Sequence, residues 1–286
     1  MATAATVQTE PAAACSEPAL TNSNAGAARI ENRVAAHQQP APVQVHPSAI
    51  IDGLPEVERL WSQIILDADA GRFSPSLIEE HDYGVFREVG DLYVRRELTP
   101  GEEFCINNIG GRVLEIGAGF GRVSNHLRER GFSVITTDAD PALVQMYRAR
   151  GWTDAGELML PEVPASLGKF DAVIALRGVL GAAGEIDAVY ESLARIRAAL
   201  NPGGRLIFSS SRVTNLLVLP DRSPLEYRLR FIYRGQRSSW LRFTALPEWL
   251  AVPFLKRLGF INVQILEPAI SDGVGYYVFA EAPAEG

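Results

Sequence analysis

The stretch "VLEIGAGFGRVSNHL", Val113 to Leu127, decides the fold. An apolar run ends at Glu115 and Ile116 and opens into glycines at alternate positions, Gly117, Gly119 and Gly121. That order reads as a buried strand, a tight turn whose backbone approaches a ligand closely, and then a helix. The spacing is G-x-G-x-G, one residue shorter than the G-x-G-x-x-G of dinucleotide binders. The Gly-Lys-Ser/Thr ending of a P-loop is missing. Glu115, two residues before Gly117, disfavours a pyrophosphate and suits a cationic amine or an ordered water. Asp138 follows Gly117 by 21 residues, at the end of a second apolar run, where a carboxylate accepts both hydroxyls of a ribose.

Outward from the glycines the pattern alternates strand and helix. "RVLEI" and "SVITT" are strands, with "GRVSNHLRERG" a helix between them. Asp140-Pro141 caps a helix that ends at Gly151. "FDAVIAL" (170–176) is a strand, 185–200 an amphipathic helix, and "RLIFSSS" a further strand after "NPGG". This alternation predicts a doubly wound, mostly parallel α/β sheet covered on both faces. "YRLRFIYR" (227–234) and "SSWLRF" (238–243) change to strand period around Gly235 and read as an inserted β-hairpin. A helix follows from Pro247 to Leu258, with Pro253 predicting a kink or a split. "FINVQIL" (260–266) and "GVGYYVFAE" (273–281) are two closing strands.

The chain of 286 residues divides into three regions. Residues 1–50, rich in Ala, Pro, Gln and Ser without sustained period, are expected to be a disordered tail. Residues 51–110 are expected to form a helical cap, with one helix on Val57, Leu60, Trp61, Ile64 and Ile65 and a second on Val85, Phe86, Val89, Leu92 and Tyr93. Residues 111–286 form the core, with the hairpin inserted at about 212–244. A net charge of −7 argues against nucleic acid, and no apolar run is long enough to span a membrane. Two cysteines, one in the tail, give no disulfide framework, so the cytoplasm is the expected compartment. No His/Cys/Asp/Glu spacing predicts a metal site.

The chain resembles the class I S-adenosylmethionine-dependent methyltransferases. "VLEIGAGFGRV" is similar to that family's first motif and "VITTDAD" to its second. "FDAVIALRGVL", "LNPGGRLIF" and "FLKRLGFINVQIL" follow in the family's order, so the resemblance covers about residues 111–283. It implies a seven-stranded Rossmann-like sheet and S-adenosyl-L-methionine as cofactor. Gly117, Ala118 and Gly119 would then lie against the methionine moiety with Glu115 nearby, and Asp138 would hold the ribose. Residues 157–159 would border the adenine, although "GELMLPEVPAS" aligns in two ways. Arg177 falls after the fourth strand, where the family faces cofactor and substrate; an ordinary surface arginine fits that position equally. Tyr83 is a candidate aromatic cover for the cofactor.

Methyl transfer to a hydroxyl benefits from a base, and His81 is the histidine considered for it. Sequence neighbours on a helix diverge, however, so His81, Asp82 and Tyr83 of "EEHDYGVF" need not share a site. The hairpin arginines 228, 230, 234, 237 and 242 read as a solvated strand face, or as a lid or dimer surface pairing with an acidic substrate. The expected reaction is O- or N-methylation of a small-molecule, natural-product type acceptor. An amine on a ribosomally made peptide and a non-catalytic scaffold or regulator are the alternatives. A homodimer is compatible with the hairpin surface. An aminopropyl transferase of the same fold would need acidic residues after the fourth strand, and "ALRGVLGAAG" has none.

Overall fold

The computed structural model describes residues 54–211, 225–269 and 272–284, all within one compact unit, Val43–Gly286. The expected tail, 1–50, lies outside the described residues, as does the start of the insertion, 212–224. In chain order the N-terminal segment contains α1 (Leu60–Asp69), β1 (Ile78–His81), β2 (Phe86–Glu88) and α2 (Pro100–Asn107). The core follows with β3 (Arg112–Glu115), α3 (Arg122–Glu129), β4 (Ser133–Asp138), α4 (Pro141–Ala149), β5 (Ala155–Glu157), β6 (Phe170–Ala175), α5 (Ile186–Ala199) and β7 (Leu200–Ser210). The insertion supplies β8 (Glu226–Tyr233), β9 (Gln236–Arg237) and β10 (Leu241–Thr244). The chain closes with α6 (Glu248–Arg257), β11 (Ile261–Leu266) and β12 (Tyr276–Glu281).

Seven strands form the main sheet in the order β11-β12-β7-β6-β3-β4-β5, and β12 runs antiparallel to both its neighbours. Side chains alternate across it. Leu114, Val173 and Phe208 pack under α5 and α6, while Val113, Ile174 and Ile207 pack under α2 and α3. The Asn201–Gly204 stretch loops out of register, because Phe170 pairs with Leu200 and Ala172 already pairs with Arg205. Asp171 secures the sheet edge by accepting from the Arg112 amide at 2.7 Å and from Asn201 Nδ2 at 2.8 Å. Pro253 does not split α6. It lies on the exposed side of the helix.

The N-terminal cap departs from expectation. The second predicted helix is instead a β-hairpin: β1 pairs antiparallel with β2, and its other edge pairs with β8 of the insertion. A second sheet results, ordered β10-β8-β1-β2 with β9 on β8. The apolar spacing over 85–93 also fits a strand and turn, and the free edge of β8 supplies the hydrogen bonds that decide the matter. Gly84 and Gly90 bracket β2 with φ of 81° and 50°, conformations that break a helix. The first helix begins at Leu60 rather than Pro55, because Pro55 and Val57 hydrogen-bond Arg237 on β9 at 3.0 and 2.8 Å. The second sheet packs its Tyr227, Leu229, Phe231 and Tyr233 on α1, which in turn packs on α4.

Candidate active site

At the C-terminal ends of the parallel strands lies a cavity of about 100 Å³. One wall is the turn after β3, with Glu115, Gly117, Ala118, Gly119 and Phe120; the opposite wall is Trp61 and Tyr93 from the N-terminal segment. Gly117 and Gly119 have φ of 65° and 56°, which explains why the turn demands glycine. A Cβ on Gly117 would run into the Val179 side chain at 2.5 Å. A Cβ on Gly119 would meet nothing closer than Trp61 at 3.9 Å and would project into the space. The Ala118 amide donates to Thr137 O at 2.9 Å, tying the turn to β4.

Glu115 ends β3, almost fully buried, and accepts a hydrogen bond from Ser124 Oγ on α3. Burial pushes its carboxyl up to about 7, against the Ser124 hydrogen bonds. Asp138 ends β4. Its Oδ2 accepts from the Gly119 amide at 3.0 Å and its Oδ1 from the Asp140 amide at 3.2 Å. Burial raises its pKa while those amides oppose the rise. Asp140 is the expected N-cap, accepting from the Ala142 amide at 2.8 Å. Glu157 pairs with Asp138 in the β4–β5 ladder, and the Leu158 amide reaches Asp138 O at 3.0 Å, so residues 157–159 lie beside the ribose-binding candidate.

Arg177 lines the cavity in a left-handed backbone conformation, φ 58°, and pairs with Glu102 at 2.9 Å. Glu102 also pairs with Arg122 at 2.7 Å and accepts from the Thr99 amide at 3.0 Å. Glu102 thus sits on the N-terminal segment, almost fully buried, and joins two arginines of the core. Sequence reasoning missed Glu102, Arg122, Trp61 and Tyr93 as site residues. The Thr99-Pro-Gly-Glu102 capping box was a legible signal for α2, although not for its arginine partners.

Tyr83 and His81 do not line this cavity. Tyr83 Oη hydrogen-bonds His81 Nδ1 at 2.9 Å, and His81 stacks on Tyr227 with ring centroids 5.3 Å apart. The aromatic wall at the cavity is Trp61 and Tyr93, which meet edge to face at 5.2 Å. The hairpin arginines are engaged within the chain rather than free for an acidic substrate. Arg228 pairs with Asp82 at 3.0 Å, Arg234 with Asp67 at 3.2 Å and Arg242 with Glu185 at 3.0 Å. Arg230 is buried and grips Glu80 through two bonds of 2.5 and 2.8 Å. Among the described residues no cluster of His, Cys, Asp and Glu has metal-site geometry, and no helix is long and apolar enough to cross a membrane.

Comparison with known proteins meets this geometry. The family described as "Methyltransferase domain" matches residues 84–251, more than half of the chain. A ubiquinone biosynthesis O-methyltransferase of Xylella fastidiosa (strain 9a5c) is 30% identical over 152 residues, 49% of this chain and 59% of the relative. The match therefore spans less than two thirds of that relative's length. Among solved structures, an S-adenosylmethionine-dependent methyltransferase from Bacteroides fragilis, in complex with S-adenosyl-L-homocysteine, aligns with a TM-score of 0.65. It is 20% identical and covers 81% of this chain and 98% of its own. One from Clostridium acetobutylicum ATCC 824 aligns with a TM-score of 0.53 at 14% identity, over 68% of this chain and 96% of its own. At such identities the likeness is one of fold, and the family match over more than half of the chain settles membership: the chain belongs to the methyltransferase domain family.

Proposed function

We propose that this protein transfers a methyl group from S-adenosyl-L-methionine to an oxygen or nitrogen of a small biosynthetic acceptor. The observation that carries the reading is the cavity closed between the glycine turn and the Trp61–Tyr93 wall. The residues present fit the cofactor. The bare Gly119 leaves room that a side chain would take, and buried Glu115 and Asp138 offer acceptor oxygens on either side of the turn. In this reading Gly117, Ala118 and Gly119 hold the methionine part and Asp138 the ribose hydroxyls. Glu115 accepts from the amino end, Arg177 and Arg122 face the carboxylate, and residues 157–159 border the base. When bound, the cofactor supplies an electrophilic methyl on a sulfonium and so carries the hard chemistry.

What the chain itself contributes is orientation and the exclusion of water, which alone supplies up to roughly 7–11 kcal/mol of a barrier. The second sheet stands behind the aromatic wall of the cavity, with Phe231 stacked on Trp61 at 4.8 Å. The name of the 30% identical relative, an O-methyltransferase of ubiquinone biosynthesis, supports a biosynthetic acceptor. Calorimetric and thermal-shift titrations with S-adenosylhomocysteine and NADH test the cofactor. S-adenosylhomocysteine should bind and, at about 100 times its Kd, add about 2.7 kcal/mol of stability. A response to NADH alone overturns the assignment. Incubating extracts with methyl-labelled cofactor and separating products by mass tests the acceptor: label on small molecules supports the reading, and label on peptides replaces it with the peptide-amine alternative.

A further inference from the structure

The inner face of the second sheet, the one turned toward the strand ends, carries a carboxylate that lacks the bidentate arginine of its neighbour. On the outer face Glu80 is matched by Arg230 in a bidentate pair. One residue earlier and pointing inward, Glu79 is almost fully buried and is held by the Tyr93 hydroxyl, with an imidazole and a guanidinium farther off. Tyr93 Oη donates to it, His81 Nε2 stands 3.8 Å away, and the nearest guanidinium, Arg87, is also at 3.8 Å. Tyr93 itself lines the cavity. A line of hydrogen-bonding groups therefore runs from the cavity wall through Tyr93 and Glu79 to His81, whose side chain is 13% exposed. Around His81 stand Tyr83 at its Nδ1, the Tyr227 ring, Glu79 with Arg87, and Asp82, which is paired with Arg228.

Resting on the methyltransferase reading above, we propose that Tyr93, Glu79 and His81 form a proton relay that deprotonates an acceptor hydroxyl during transfer. As the acceptor oxygen takes the methyl group, its O–H bond breaks and the electron pair stays on oxygen. The proton passes to Tyr93 Oη while the Tyr93 phenolic proton moves to Glu79. Glu79 hands a proton to His81 Nε2, which is free to accept when Nδ1–H donates to the Tyr83 hydroxyl. The end state is an imidazolium beside a carboxylate, an arrangement that stabilises both charges. Catalytic hydrogen bonds in ligand-free sites are commonly long, so 3.8 Å between His81 and Glu79 is a distance that tightens on binding. Tyr93 is the group in contact with the acceptor; Glu79 and His81 act through it.

The test uses the full chain with Tyr93→Phe, His81→Gln and Glu79→Gln, and phenol and 4-nitrophenol as probe acceptors. Tyr93→Phe and His81→Gln should keep S-adenosylhomocysteine affinity within about twofold and lose about 100-fold or more in kcat/KM on phenol. The deficit should shrink on 4-nitrophenol, which ionises near neutrality and needs no base. The acid limb of the wild-type pH–rate profile should vanish in His81→Gln. Glu79→Gln should show the same deficit on phenol and the same relief on 4-nitrophenol; should that variant not fold, Tyr93→Phe carries the test. Equal deficits on both phenols, undiminished phenol turnover in folded Glu79→Gln, or a wild type that binds S-adenosylhomocysteine and methylates neither probe overturns the relay. A wild type that does not bind S-adenosylhomocysteine overturns instead the reading on which the relay rests.

Discussion

Burial of one side chain, Glu115, ties the stability of the fold to pH. Its carboxyl is pushed from 4.5 to about 7 by burial. Below the unfolded value the group is neutral in both the folded and unfolded chain, and burying it costs no ionisation penalty. As pH rises from about 4.5 to about 7 the unfolded chain ionises first, so stability falls across that window and then levels off. The full loss is of the order of 3 kcal/mol. Glu115→Gln should therefore match the wild type in urea unfolding near pH 4 and exceed it by roughly that amount above pH 7. A stability difference that does not change with pH would show that Glu115 titrates alike in the folded and unfolded chain. Glu115, the glycines and Asp138 were legible from spacing alone because a strand end, a positive-φ turn and the next strand end are fixed by the local chain. Trp61, Tyr93 and Glu102 were not, since each reaches the cavity by tertiary approach across the fold.

At the scale of elements, α2 is the piece that joins the N-terminal segment to the core. Its Glu102 holds Arg122 on α3 and Arg177 after β6, and Asp272 ahead of β12 accepts from the Gly101 amide at 3.1 Å. Removing one partner from a buried ion pair leaves charge without compensation, which costs about 3–5 kcal/mol. Glu102→Ala should lower stability by about that much, measured by chemical unfolding, and should weaken S-adenosylhomocysteine binding through the released Arg177. A variant with wild-type stability would mean that water replaces the carboxylate at both arginines. The elements of the core followed from periodicity because their apolar spacing is set by burial between sheet and helices, whichever strand pairs with which. The strand pair β1–β2 was missed because its partner, β8, is about 150 residues away in sequence, as the Arg230–Glu80 separation records. Hydrogen bonds offered by that distant edge override a local helical pattern.

The molecule as a whole assembles its site from distant parts of the chain, and two removals test which segments take part. Deleting residues 1–48 should leave melting temperature and S-adenosylhomocysteine binding nearly unchanged, because the low-complexity composition there cannot support a core and the apolar clusters of the described residues close without it. A truncated protein that loses solubility or binding would show that the segment packs on the core. Replacing 226–244 by a Gly-Ser turn is a different operation. The sequence reads the insertion as a solvated face, a lid or a dimer surface; in the structure β8 is also the partner of β1, and Phe231 stacks on Trp61 at 4.8 Å. Its removal therefore strips β1 of its ladder and α1 of its apolar cover. A two-stranded β1–β2 hairpin is marginal in water by itself. Hydrogen-exchange protection should accordingly be lost across 78–88 and reduced across 60–69, while amides of β3, β4, β6 and β7, buried under their own helices, stay protected. S-adenosylhomocysteine affinity should fall with the loss of the Trp61–Tyr93 wall. If protection across 78–88 survives the replacement, the N-terminal strands are held by the core directly and the insertion and the N-terminal segment do not build the site together.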